Sequence, residues 1–84
     1  MYTVYVLKSK SAKKSYVGVT DNIKRRLNEH NSGKHFYTKR YVPWEVIHTE
    51  NFNYFKDARA REVFLKTTSG RRFLKKLFNS LNLN

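Results

Sequence analysis

The chain has no cysteine. Without thiols there is no disulfide framework, no thiolate metal site and no cysteine nucleophile, which removes the zinc-ribbon and zinc-finger readings of a small basic protein. Acids are scarce as well: six Asp and Glu stand against 18 Lys and Arg in 84 residues, a net charge of +12. That imbalance points to a polyanionic partner, and the self-repulsion it brings should ease with salt or with the partner bound. Long apolar runs are missing, and the opening MYTVYVLKSK has no extended hydrophobic region before a small-residue cleavage site. Neither a membrane span nor a signal peptide is expected, so the expected location is cytoplasmic, with no membrane partner. The length leaves room for one domain, residues 1–84, around one small core.

What is present is aromatic. Six Tyr, six Phe and one Trp within a 39% hydrophobic composition supply enough burial to offset chain entropy, so a folded domain is expected rather than a charged disordered chain. The run Tyr2-Thr3-Val4-Tyr5-Val6-Leu7 reads as a strand, and Ser15-Tyr16-Val17-Gly18-Val19-Thr20 resumes the pattern after a short polar link, which predicts an antiparallel hairpin. Gly18 inside a strand marks a bulge or a close approach to the backbone. Thr20 or Asp21 can cap a helix reaching Asn31, with Ile23 and Leu27 on one side and Gly33 as its stop. A basic aromatic loop from Gly33 to the single proline, Pro43, precedes a third strand over 44–50. Phe55, Ala58, Glu62 and Leu65 then fall on one stripe of a second helix capped by Asn53. Ser69-Gly70 punctuates the chain before a last amphipathic segment with Phe73, Leu74, Leu77, Phe78 and Leu81 on its apolar side. The order ββαβαα predicts an α+β domain, a three-stranded antiparallel sheet flanked by helices.

Several residues stand out chemically. Glu62 is the only acid on its stripe; on composition alone an i, i+4 pair with Lys66 explains it, yet one carboxylate beside a phosphate-binding surface also suffices for Mg²⁺. Arg26 and His30, four apart, share a helix face; alone they read as a solvated polar face, but beside a substrate Arg can hold phosphoryl oxygens and His can exchange protons. Tyr5 and Tyr16 sit on the two hairpin strands, where packing is the commoner role of such pairs. Basic residues interleaved with aromatics from Lys34 to Tyr41 suit a nucleic-acid backbone and stacked bases.

Together these residues resemble the GIY-YIG nuclease domain family. Thr3-Val4-Tyr5 is similar to its first tripeptide and Tyr16-Val17-Gly18 to its second, followed by Arg26, then His30 one turn on, then Glu62 in Ala60-Arg61-Glu62. The likeness runs from Thr3 to about Leu77 and is similar to small stand-alone bacterial members and to the nuclease domain of the excision-repair incision subunit. Thr3 stands where the family has Gly, and residues 70–78 lack the Asn that many catalytic members carry after the Glu, Asn79 being the nearest. The resemblance implies a metal-dependent endonuclease that hydrolyses DNA, structure-directed in repair or recombination. It implies Tyr5, Tyr16, Arg26 and His30 as catalytic residues, Glu62 as ligand of one Mg²⁺ or Mn²⁺ ion, and Gly18 as motif backbone. A phenol with an ordinary pKa of about 10 is a poor base at neutral pH, so the site is expected to lower that of Tyr5 through Arg26 and the metal. The charge pattern adds Lys34, Lys39, Arg40, Arg71, Arg72, Lys75 and Lys76 as nucleic-acid contacts, accommodates RNA as well as DNA, and leaves specificity to a partner protein. The alternative is a catalytically weak or inactive DNA- or RNA-binding module.

Overall fold

The computed structural model describes residues 1–83, and its elements follow the order ββαβαα. Strands β1 (Tyr2–Ser9), β2 (Ser15–Thr20) and β3 (Trp44–Phe52) form an antiparallel sheet in the order β2-β1-β3. Helix α1 (Ile23–Asn31) lies between β2 and β3 in sequence, and α2 (Phe55–Leu65) and α3 (Thr68–Ser80) follow β3.

Placing β1 in the centre changes the burial its sequence suggests. Val4, Tyr5, Val6 and Leu7 are all buried, because helices cover both faces of the sheet. Val4 and Val6 pack with Val17 against Ala58, Leu65 and Leu74 of α2 and α3. Tyr5 and Leu7 point the other way, among Tyr16, Trp44 and the Ile23 and Leu27 side chains of α1. The pairing of β1 with β3 slips once, from Val6↔His48 to Leu7↔Val46, leaving Ile47 as the extra residue of a bulge.

Several local expectations need correction. Asn22, rather than Thr20 or Asp21, caps α1 by accepting the Arg25 backbone N–H, while the Thr20 hydroxyl accepts from the Asn22 N–H and Asp21 pairs with the Arg25 side chain. The loop before β3 contains a 3-10 turn, Thr38–Tyr41, and a cis Val42–Pro43 bond. Tyr54, not Asn53, precedes α2, and no side chain caps it. Ser69 and Gly70 do not separate two segments but lie in the first turn of α3, where Thr67 caps by accepting from the Gly70 N–H. A Cβ on Gly70 would strike the Phe64 carbonyl and Leu65 backbone, so glycine there permits the close packing of α3 on α2. Phe55 is half exposed, edge-on to Tyr2, and the buried face of α2 narrows to Ala58 and Leu65.

Candidate active site

Tyr5 sits mid-strand in β1 with Gly18 of β2 opposite it. A Cβ at Gly18 would come within 2.5 Å of the Tyr5 hydroxyl, so only glycine lets the phenol lie across β2. Around that hydroxyl α1 delivers two groups one turn apart: His30 Nε2 at 3.0 Å and Arg26 Nε, which donates to it at 3.3 Å. His30 is fully buried, and its Nδ1 lies 2.8 Å from the Thr38 hydroxyl. Thr38 is fixed in turn, because its carbonyl accepts the Trp44 indole N–H at 2.8 Å. Asn31 ties the end of α1 to the start of β3, its Oδ1 accepting the Trp44 N–H at 2.6 Å and its Nδ2 donating to the Trp44 carbonyl at 3.1 Å. One self-consistent donor order runs Arg26 Nε–H to Tyr5 oxygen, Tyr5 O–H to His30 Nε2, and His30 Nδ1–H to Thr38.

The electrostatics correct one expectation. Burial pushes the Tyr5 phenol up to about 12, outweighing the hydrogen bond and charge of Arg26; the nearby Glu62 carboxylate adds to the rise. His30 is driven down to about 4 by burial, helped by the positive field of Arg26 and His35. The hydrogen bond to Tyr5 holds the Arg26 guanidinium charged even more firmly than usual. At neutral pH the cluster is therefore a neutral phenol and a neutral imidazole beside one fixed cation.

Tyr16 completes an aromatic wall, its ring 4.9 Å from that of His30 and 5.2 Å from that of His35. Its hydroxyl lies 3.4 Å from His35 Nε2, while the buried His35 Nδ1 has no protein partner among the described residues. His35 and Thr38 escape a reading by motif, because in sequence they are two polar residues of a basic loop. The spacing from His30 to Thr38 gains meaning only once the 3-10 turn folds back on α1.

Glu62 approaches from α2, close enough for its charge to bear on the Tyr5 phenol. Arg59 Nη1 meets its Oε1 at 2.6 Å and Lys66 Nζ its Oε2 at 3.1 Å, so the expected i, i+4 pair with Lys66 exists together with a second partner. Burial raises the Glu62 pKa, but these two hydrogen bonds and the two positive charges outweigh it and hold the carboxyl below its usual range. Among the described residues no group of three or more His, Cys, Asp and Glu can cage a metal ion. A hard cation bound by one carboxylate, with water and phosphate as its other ligands, fits the donor set, because each carboxylate oxygen keeps a second lone pair beyond the Arg59 and Lys66 contacts.

The basic residues named from sequence divide. Lys39 and Arg40 lie over the exposed ring of Phe36, at 5.1 and 5.7 Å from its centre. Arg71 and Lys75 border a cleft of about 640 Å³ along β2, together with Lys13, Lys14 and Lys66. Lys34, Arg72 and Lys76 are exposed and lie outside that cleft. No helix among the described residues is long and apolar enough to cross a membrane.

The sequence matches the family model of the GIY-YIG catalytic domain over residues 1–77. It is 40% identical over 67 residues to a UPF0213 protein of Natronomonas pharaonis, covering 79% of this chain and 78% of that one. A UPF0213 protein of Syntrophus aciditrophicus is 41% identical over 68 residues, covering 79% and 77%. The solution NMR structure of a UPF0213 protein from Bacillus halodurans superposes with a TM-score of 0.54 at 29% identity, over 90% of this chain and 83% of the other.

Proposed function

This chain belongs to the GIY-YIG catalytic-domain family, a nuclease-type family, and from that membership we propose that it is a metal-dependent endonuclease hydrolysing phosphodiesters in DNA. The observation that carries the reading is the convergence on one phenol oxygen of His30 Nε2 at 3.0 Å and Arg26 Nε at 3.3 Å. A solvated polar helix face does not require that arrangement.

Because Tyr5 stays protonated at neutral pH, it accepts a proton from the attacking water only while passing its own to His30 Nε2. His30 is neutral with its Nε2 lone pair directed at Tyr5, Thr38 holds the ring in place, and the negative charge of a bound phosphate offsets the burial that otherwise weakens it as a base. Arg26 commits Nε to Tyr5 and Nη1 to Glu29, leaving Nη2 to face charge growing on the phosphate. Tyr16 orients the substrate beside Tyr5. Glu62 would hold a single Mg²⁺ or Mn²⁺ ion, which when bound stabilises charge on the phosphate and the leaving oxygen. Structured DNA of the kind handled in repair or recombination is the substrate this reading favours, with a partner protein supplying sequence preference.

A second reading, a basic binding module without catalysis, draws on one observation: both Glu62 oxygens are already paired. Incubating the protein with linear, nicked and branched DNA and with RNA in Mn²⁺ separates the two. The nuclease reading expects products that vanish with chelator and in Arg26→Ala, a loss of about 10²–10³ in rate typical of a lost transition-state donor, while DNA affinity drops by only one contact. No products across the whole panel would establish the binding module instead.

A further inference from the structure

The cleft along β2 has a character that phosphate binding does not explain. Its lining combines the cations Lys13, Lys14, Lys66, Arg71 and Lys75 with the apolar side chains of Leu74 and Phe78 and the rings of Tyr16 and Tyr37. Among the described residues Lys66 pairs with Glu62 and Lys14 lies over the Tyr41 ring at 5.5 Å, while Lys13, Arg71 and Lys75 have no carboxylate partner. A duplex backbone presents phosphates and sugar and has no use for an aromatic and aliphatic interior, whereas an unpaired base offers an apolar face that stacks on tyrosine. The volume of about 640 Å³ lies within the range of small-molecule pockets, roughly 300–1,000 Å³. Tyr16 and Lys66 belong to the cleft and to the candidate active site together: Tyr16 touches His30 and His35, and Lys66 holds Glu62 and lies over the Tyr16 ring at 5.9 Å.

We propose that this cleft is a subsite for an unpaired nucleotide flanking the reacting phosphate, its base against Tyr37 and Phe78 and its phosphates on Arg71, Lys75 and the Lys13-Lys14 turn. The preferred substrate is then a strand with at least one nucleotide out of the helix, a bulge, flap or single-stranded stretch. The proposal rests on nucleic acid being the substrate, and its test is read without metal so that binding and cleavage are judged apart. Fluorescence anisotropy compares a fully paired duplex with the same duplex carrying one bulged nucleotide, a change of a single phosphate. The wild-type chain should favour the bulged duplex roughly tenfold, on the order of one stacked base. Arg71→Gln/Lys75→Gln and, separately, Tyr37→Ala should erase that preference; all three residues are exposed and their loss spares the core. Arg72→Gln/Lys76→Gln, on α3 but outside the cleft, should weaken both duplexes alike and keep the preference. Equal wild-type affinity for the two duplexes, or a preference that survives Arg71→Gln/Lys75→Gln, would overturn the subsite. A protein that never cleaves yet shows the expected pattern would sink the nuclease reading alone.

Discussion

The two edges of the sheet are built by opposite rules. At β3, Glu50 accepts from Arg61 Nε at 2.8 Å and from Arg61 Nη2 at 3.1 Å, and pairs with His48 at 2.8 Å. The Arg61 guanidinium then lies over the rings of Phe64 and Phe73, at 5.2 and 5.0 Å. Each charge there is answered, and the cation also covers apolar surface. At β2 the same pair of helices meets lysines and an arginine, and among the described residues the one carboxylate paired with them is Glu62. Lysines along an edge strand do protect against edge-to-edge aggregation. That role does not call for a cleft lined with tyrosine rings. The contrast teaches that Glu50 draws its cations into a closed network at one edge, while at the other Lys13, Arg71 and Lys75 have no carboxylate partner among the described residues and stay open toward a ligand.

The largest stability effect should come from breaking the neutral edge. Arg61→Ala removes both hydrogen bonds to a largely buried carboxylate and uncovers two rings, which should destabilise by about 1–3 kcal/mol. For a domain of this size each kcal/mol is worth roughly 4–8 °C in melting temperature. Cleavage per folded molecule should be unchanged, and a melt of Arg61→Ala superimposing on wild type would show that the network contributes nothing.

A smaller effect separates the two regions by pH. Burial keeps His30 at about 4 and shifts His35 in the same direction, so the unfolded chain binds protons near pH 6.5 before the folded one does. Stability tied to the site is therefore present above pH 6.5 and is lost progressively as pH falls toward 4. Glu50 behaves otherwise: the Arg61 hydrogen bond lowers its pKa, so its contribution persists down to the ordinary carboxylate range and is lost only below it. Melting temperature should decline between pH 6.5 and 5 in wild type and decline less in His30→Gln, with both falling together at lower pH. Identical slopes in the upper window would contradict a neutral, buried His30.

The fold was largely legible because its signals are local. Alternation and β-branching in Tyr2–Leu7 and Ser15–Thr20 and the helical stripes depend on neighbours a few residues away, and the observed order ββαβαα follows them. Gly70 misled for a tertiary reason: glycine reads as a break, yet here it allows α3 to approach α2. Burial of Tyr5 was likewise invisible, because a strand covered on both faces cannot be told from a half-exposed one by six residues, and its raised pKa follows from that cover. Arg26, His30 and Tyr5 could be named from a motif. Thr38, His35 and the Lys13-Lys14 turn could not, since a loop and a hairpin turn bring them to the site through contacts distant in sequence.

The central claim is that chemistry at the charged edge depends on one carboxylate, and the most direct measurement is made on Glu62→Gln. Cleavage, melting temperature and metal-free DNA affinity are recorded on the same preparation. Glutamine keeps the shape and can still accept from one partner, and although the Glu62 side chain is mostly buried, Arg59 and Lys66 are half exposed and rehydrate, so the lost charge should cost about 1 kcal/mol or less. The account predicts that Mn²⁺-dependent cleavage disappears, that the melting temperature moves little, and that metal-free DNA affinity stays equal or becomes slightly tighter as a negative charge leaves the phosphate-facing edge. Metal-dependent cleavage retained by Glu62→Gln would contradict it.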